Sequence, residues 1–215
     1  MNTPLCTPSR HALILAALAL LALLALSAWG AFDLSIWAME VAPVAIALPI
    51  LWITHRRFAL TRLLYALIFA HALILMLGGH YTYAQVPLGF WMQEWFGWTR
   101  NNYDKIGHFA QGFVPAMVAR ELLLRHGVLQ RGAWLFVLVM SVSLSISVVY
   151  EFIEWGAALA LGSGADEFLA TQGDPWDTQS DMFMAGLGAL LAQGLLGRWH
   201  DRQLGLGAPP HSCRS

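Results

Sequence analysis

The stretch from Gly132 to Trp155, GAWLFVLVMSVSLSISVVYEFIEW, decides the fold. It carries no charged residue before Glu151 and then closes on Glu151 and Glu154. A helix needs about 20 predominantly apolar residues to cross a bilayer. The stretch therefore predicts a spanning helix with two acids near one end. Five further stretches qualify, at about 11–29, 36–53, 59–79, 105–124 and 178–196; the second of these carries Glu40, Pro43 and Pro49. Composition agrees, with 58% hydrophobic and only 12% charged residues, where soluble domains carry about 25% charged. The mean hydropathy is +0.57. The expected fold is all-α: a polytopic membrane protein, a six-transmembrane-helix bundle forming one domain over residues 1–200, with a C-terminal tail at 201–215.

The net charge is -1 and no Lys/Arg-rich run occurs, so nothing points to nucleic acid. Cys6 and Cys213 lie in the two tails and read as incidental, with neither a disulfide framework nor a CxxC metal site. The alternative for the first stretch is a cleaved signal peptide with small residues near Ser27 and Ala28. Its long apolar run and Leu26 favour a retained helix.

Basic residues stay on the cytoplasmic side of a membrane protein. With six spans and the N-terminus inside, the inner segments hold Arg10, Arg56, Arg57, Arg62, Arg120, Arg125, Arg131, Arg198, Arg202 and Arg214, ten of the twelve Lys+Arg. Only Arg100 and Lys105 remain outside. Both termini are expected on the cytoplasmic side. Between the third and fourth spans, Trp91, Glu94, Trp95 and Trp98 recur at helical spacing, with Phe90 and Phe96 alongside. Aromatics favour the membrane–water interface, so a short interfacial helix is expected there. A loop with aromatic anchors is the plainer alternative.

Orienting the spans brings the acids to one depth. A helix rises 1.5 Å per residue. His108 and Asp181 fall about one turn below the outer surface, Glu151 and Glu154 within about one turn of it, and Glu40 joins them. Residues three or four apart share a helix face. Asp104, His108 and Gln111 therefore form one stripe, Glu151 and Glu154 a second that Ser143 and Ser147 extend, and Asp177 and Asp181 a third. Ionisable groups in a membrane are costly and face the bundle interior or a water-filled cavity. The layer offers up to six carboxylates against Lys105 and Arg100. Unpaired buried carboxylates take up protons or bind a cation. Carboxylates with one imidazole suit a divalent metal such as Mg²⁺, Mn²⁺, Fe²⁺ or Zn²⁺. His108, Glu151, Glu154, Asp177 and Asp181 are the candidate metal ligands, and the pattern has room for two ions.

Structural alternatives stand beside these. Asp174-Pro175 reads as an N-cap with proline at the first helical position, and Asp177 or Asp104 as a first-turn acid or cap. The serines of the fifth span read as packing residues, and His71 as an isolated core histidine. Arg120, Glu121 and Arg125 read as an interfacial cluster on the inner side, and Ala185, Gly186, Gly188 and Ala189 as a small face for close helix packing.

Three ordered motifs carry a resemblance. They are Asn102-Tyr103-Asp104-Lys105-Ile106-Gly107-His108-Phe109, then Tyr150-Glu151-Phe152-Ile153-Glu154-Trp155, then Thr171-Gln172-Gly173-Asp174-Pro175-Trp176-Asp177 followed by Asp181-Met182. Together they resemble the YjdF-like family of bacterial inner-membrane proteins, which implies the fold above, a location in the inner membrane and no particular activity. The last three spans are also similar, more distantly, to VanZ-like membrane proteins. Asp104, Lys105, His108 and Phe109 match one motif, Glu151 the next, and Asp177 with Asp181 the third. Glu154 and Met184 depart from that pattern. That resemblance implies a link to the cell envelope and glycopeptide tolerance.

The leading functional expectation is metal-assisted hydrolysis or transfer on a lipid-linked or other envelope substrate. His108, Glu151 and Asp181 would be catalytic, and Lys105 and Gln111 would contact substrate. A small transporter or proton-coupled channel and a non-catalytic scaffold are the alternatives. Membrane lipid is the one certain surrounding partner.

Overall fold

In the computed structural model the described residues are 5–161 and 171–206. Among them every regular element is helical. The α-helices are α1 (Arg10–Ala28), α2 (Leu34–Thr54), α3 (Arg62–Tyr81), α4 (Pro87–Phe96), α5 (Tyr103–Arg125), α6 (Ala133–Leu161) and α7 (Asp177–Gln203), with a 3₁₀ turn at Tyr83–Gln85.

Helix starts follow local chemistry. The Ser9 hydroxyl accepts from the Ala12 amide at 3.2 Å and caps α1. Asp33 caps α2, accepting from the amides of Ser35 at 2.7 Å and Ile36 at 3.0 Å. Those amide bonds, the one from Ile36 foremost, hold its carboxyl below the usual aspartate range. Pro87 opens α4 at its first turn, where no amide is needed, and Gly97 closes it in the left-handed conformation.

Five helices are long and apolar enough to cross a membrane: α1, α2, α3, α6 and α7. The helix expected at 105–124 exists as α5 but is not among them. It is the central helix, packed by α3, α6 and α7. Protein neighbours shield it, so it tolerates Asp104, Lys105, His108, Gln111, Arg120 and Glu121, of which all but Lys105 are buried. The lipid-facing helices show the reverse, with large apolar side chains such as Leu15, Ile53, Trp134, Phe152 and Leu195 exposed. A soluble monomer seldom exposes apolar surface on this scale.

The tightest packing joins α5 to α7. A Cβ on Gly112 would run into the Ala185 carbonyl, and one on Gly188 into the Phe109 carbonyl. Ala185 and Ala189 are fully buried in the same seam. The small face read from the sequence is thus an α5 contact, with Gly186 turned toward Leu144 of α6 instead. Small residues let helix backbones approach closely, the usual device in membranes.

One end of the bundle collects acids and the other bases. At the basic end, the cluster expected at an interface is buried. Glu121 is 0% exposed. It accepts from the Thr61 hydroxyl at 2.8 Å, Arg125 Nη1 at 2.7 Å and His200 Nε2 at 2.9 Å, with the Thr61 amide at 3.2 Å. Arg120 donates to His200 Nδ1 at 2.8 Å and pairs with Asp201 at 2.6 Å. Because Nδ1 accepts, His200 carries its proton on Nε2 and is neutral in this network. Single-sequence spacing showed only the Glu121–Arg125 pair, since the other partners come from α7 and the α2–α3 connection.

The N-terminal tail is stitched to the same end. The Cys6 amide donates to the Gln203 carbonyl, the Arg62 amide to the Cys6 carbonyl, and the Leu63 amide to the Gln203 side chain at 3.0 Å. These bonds draw α7 out to Gln203, past the expected end near 196. Cys6, read as incidental, is disulfide-bonded; the other cysteine of the sequence, Cys213, lies outside the described residues.

Candidate functional site

The acidic end is assembled from three segments, one for each sequence motif. Arg100 and Asn101, just before α5, are the anchor. The Gln172 side chain accepts from the Asn101 amide at 3.2 Å and donates to the Asn101 carbonyl at 2.7 Å. Arg100 Nη1 donates to the Thr171 carbonyl at 2.7 Å. Gly173 takes a positive φ of 82°, which lets the chain turn toward α7. Asn101 in turn donates to the Val86 carbonyl and accepts from the Tyr103 amide, so it opens α5.

Arg100 then reaches the acids. Its Nη2 lies 2.6 Å from Asp177, 3.4 Å from Asp174 and 3.5 Å from Asp104. Burial works against its charge, but Asp104, then Asp177 and Asp174, outweigh burial and hold Arg100 above its ordinary value. Lys105 Nζ lies 2.7 Å from Asp181, 2.8 Å from Asp177 and 3.4 Å from Asp104. Lys105 thus occupies the centre of the Asp104–Asp177–Asp181 triplet, one of two groups at the acidic end compact enough to hold a cation. An ammonium already stands where a second metal would be needed.

The other compact group is His108, Glu151 and Asp181, all buried, with one donor atom of each within 4.8 Å of the others. His108 Nδ1 is 3.9 Å from Glu151 Oε1, and Nε2 is 3.7 Å from Asp181 Oδ1. Gln111 Oε1 is 3.2 Å from His108 Nδ1. With the amide oxygen turned to the ring, Nδ1 carries the proton and Nε2 keeps its lone pair, an assignment made from the hydrogen bonding. Among the described residues Glu151 Oε1 has no hydrogen-bond partner, and the residue is only 7% exposed. One turn below, the Ser147 hydroxyl is likewise unpartnered and fully buried, and Ser143 bonds the Val139 carbonyl at 3.0 Å.

The structure separates residues that spacing had grouped. Glu154 belongs to neither compact group. It lines a cavity of about 170 Å³ with Glu40, His71, Tyr83, Tyr150 and Gln111, which His108 and Asp104 also border. Glu40 is 4% exposed and lies 3.5 Å from the Tyr150 hydroxyl. Asp177 is tied to Arg100 and Lys105, and Gln111 to the histidine. Asp174 is not the N-cap of the last helix. It accepts from the Trp176 amide at 2.9 Å, Trp176 is the cap residue, and the helix opens at Asp177. Asp104 sits inside the first turn of α5 behind Asn102. The aromatic stretch is helical as α4, with Phe90, Trp91, Trp95 and Phe96 exposed.

Sequence reading missed Asn101, Gln172 and Tyr83. The Gln172 side chain acts on the Asn101 backbone 71 residues away, and the Asn101 side chain on the Val86 carbonyl 15 residues away, pairings that no local pattern reveals. Tyr83 is buried against Gly78 and Gly107, where a Cβ would collide with its ring. Only those two glycines hinted at a bulky neighbour.

A helical bundle with apolar spanning helices and a buried, ion-paired acidic end defines a polytopic membrane protein. The chain belongs to the family described as Predicted membrane protein (DUF2238), whose profile matches residues 12–202 and so includes every residue of the acidic end. It is similar to the Inner membrane protein YjdF of Escherichia coli (strain K12), with 58% identity over 190 residues, 88% of this chain and 90% of that protein. No solved structure matches.

Proposed function

We propose that this is a six-span inner-membrane protein, α5 being the sixth span, whose acidic end binds one divalent cation near the outer leaflet. The orientation rests on the basic residues, which gather at the end where α1 begins and α7 finishes. On this orientation α4 lies at the outer interface with its aromatic side chains in the headgroup region. A reporter fused after residue 206 should fluoresce as a cytoplasmic fusion and resist external protease. In a reducing cytoplasm the Cys6 disulfide opens, and the bonds to Arg62 and Gln203 keep the tail in place.

The observation that carries the cation reading is the unpartnered Glu151 Oε1, buried beside His108 and Asp181. A buried carboxylate oxygen without a donor is costly. Arg100 and Lys105 are spent on Asp104, Asp174, Asp177 and Asp181, so no fixed positive charge is left for Glu151. His108, Glu151 and Asp181 are the ligand set, and one imidazole with two carboxylates suits Zn²⁺, Mn²⁺ or Fe²⁺. Gln111 holds the ring by its other nitrogen, as outer partners of metal-binding histidines do. Glu154 and Asp177 flank the set. Such a cation, when bound, supplies Lewis acidity or an acidified water. The chain's own residues hold and orient it, exclude lipid, and offer Glu151 as a proton acceptor.

The reaction class is hydrolysis or transfer on an envelope or lipid-linked substrate. The site's depth in the outer half of the bundle on this orientation supports it, as does the resemblance of its motifs to those of VanZ-like proteins. Lys105 lies close enough to the set to steady a substrate oxygen. The test is metal analysis of the purified full-length protein after incubation with Zn²⁺ or Mn²⁺. About one equivalent is expected, weakened by tenfold or more in Glu151→Gln and in Asp181→Asn, on the order of what single-shell losses cost. A monodisperse wild-type protein that binds neither ion would overturn the reading and favour a scaffold held by its ion pairs.

A further inference from the structure

The walls of the bundle are not closed on every side. α2 packs chiefly on α3, and α6 chiefly on α5 and α7. Between α2 and α6 lies an apolar cleft of about 590 Å³, lined by Val44, Leu51, Ile68, Val118, Leu122 and Val142, among others. Leu51, Leu60 and Leu122 place its lower part toward the basic end. Its upper part meets the cavity of about 170 Å³ at the acidic end. Pro43, His71, Leu75, Pro115 and Ile146 border both spaces. Pro43 lies in mid-α2 and Pro115 in mid-α5. Each removes one helical hydrogen bond, which leaves the carbonyl four residues earlier in need of another donor. Those residues are Met39 and Gln111.

The two spaces adjoin along the five bordering residues, a hydrocarbon-lined lower part beside a polar head. The polar head is acidic in character: the Glu40 and Glu154 carboxyls face it and, among the described residues, no Lys or Arg lines it. Asp104 also borders it, but is ion-paired to Arg100 and Lys105. The Tyr83 and Tyr150 rings and the His71 ring complete the wall, and His71 Nε2 is buried without a hydrogen-bond partner. Carboxylates flanked by aromatic rings attract an ammonium through ion pairing and cation–π contact and repel a phosphate or carboxylate. A cavity of about 170 Å³ has room for an ammonium head with a few heavy atoms.

We infer that this volume binds a single-chain amphiphilic amine from the surrounding bilayer, its hydrocarbon chain in the α2–α6 cleft and its ammonium beside Glu40. The inference does not need the cation: Glu151 and Asp181 do not border the volume, while His108 and Gln111 border both it and the cation set. The chain enters sideways from lipid, where no water has to be displaced from the cleft. The carboxylate of Glu40, otherwise met only by tyrosine hydroxyls, gains a counter-charge.

The test uses the full-length protein in lipid nanodiscs with two photo-reactive probes of equal length, a diazirine alkylamine and the matching diazirine alkanoate. Cross-linked peptides are mapped by mass spectrometry. The amine should label the α2 and α5 peptides that line the cleft about tenfold more than the alkanoate, the ratio that roughly 1.4 kcal/mol of charge preference gives. Glu40→Gln should remove most of that preference while leaving alkanoate labelling unchanged. Val118→Trp, which fills the cleft without touching the polar head, should suppress labelling at these peptides by both probes. Each variant is scored only as a monodisperse species of wild-type thermal stability; if Glu40→Gln fails that criterion, Val118→Trp and the amine-to-alkanoate ratio decide. Equal labelling by the two probes overturns the inference. So does labelling spread evenly over the lipid-facing surfaces of α1 and α6, or an amine signal that survives Val118→Trp.

Discussion

Glu121→Ala is the sharpest test of how this bundle is held together. Glu121 has no exposed surface and takes four donors, from the Thr61 amide and hydroxyl, Arg125 and His200. Truncation leaves the Thr61 amide and the His200 Nε2–H as buried orphans, each worth about 1–3 kcal/mol. The Thr61 hydroxyl can rotate elsewhere, and Arg125 keeps the Ala59 carbonyl at 2.6 Å and some access to water. The loss should therefore come to about 3–5 kcal/mol, the range found when one partner of a buried ion pair is removed. Glu121→Gln keeps the shape and one acceptor oxygen but sets an NH₂ against a donor, so it should cost about half as much. The assay is reversible unfolding in mixed micelles followed by fluorescence of the ten tryptophans. At 1.4 kcal/mol per decade, the alanine variant shifts the folding equilibrium by roughly two to three and a half decades. If it unfolds within about 0.5 kcal/mol of the wild type, the network is not a buried, water-free one and the reasoning fails.

Gly188→Val should destabilise by more than the ~1–3 kcal/mol usual for overpacking, because its Cβ meets the backbone of Phe109 rather than a movable side chain; thermal melts by size-exclusion check this, with Gly194→Val, which has open space around it, as the mild control. A double-mutant cycle on Lys105→Met and Asp181→Asn should give a coupling of about 0.5–3 kcal/mol, since the two groups lie 2.7 Å apart in a buried setting; additivity would mean that Lys105 is not held there. Asp33→Ala should lower the melting temperature at neutral pH. The folded-state pKa of Asp33 is depressed, so its contribution is present above the ordinary aspartate value and vanishes as pH falls through the lower folded value. The wild-type and Asp33→Ala melts should converge on acidification, and a constant gap would contradict the capping role.

Much of the architecture was legible in the chain itself. Apolar length located six helices to within a few residues at most ends, because the cost of leaving backbone groups unbonded in lipid depends on local composition alone. The ends that ran over were α6, which continues to Leu161, and α7, which continues to Gln203; partners from elsewhere in the chain hold the latter. The i, i+3 and i, i+4 stripes correctly brought His108, Glu151 and Asp181 together, because each stripe had only one interior to face. Spacing could not divide the acids into a set held by Arg100 and Lys105 and a set left beside His108. Glu151 and Glu154 share a face by spacing, yet the first meets His108 and the second lines the Glu40 cavity.

Sequence alone therefore determined that this chain folds as apolar helices with its acids gathered at one end and most of its bases at the other, since hydrophobic length and helical period act locally. Tertiary structure alone decided which acids are neutralised, which histidine nitrogen stays open, and that α5, the one long helix among the described residues without a spanning-grade apolar stretch, is the one at the centre. Those outcomes depend on side chains 76 and 77 residues apart meeting within 3 Å, at Lys105 with Asp181 and Arg100 with Asp177, and electrostatics at that range is set by packing rather than by order along the chain.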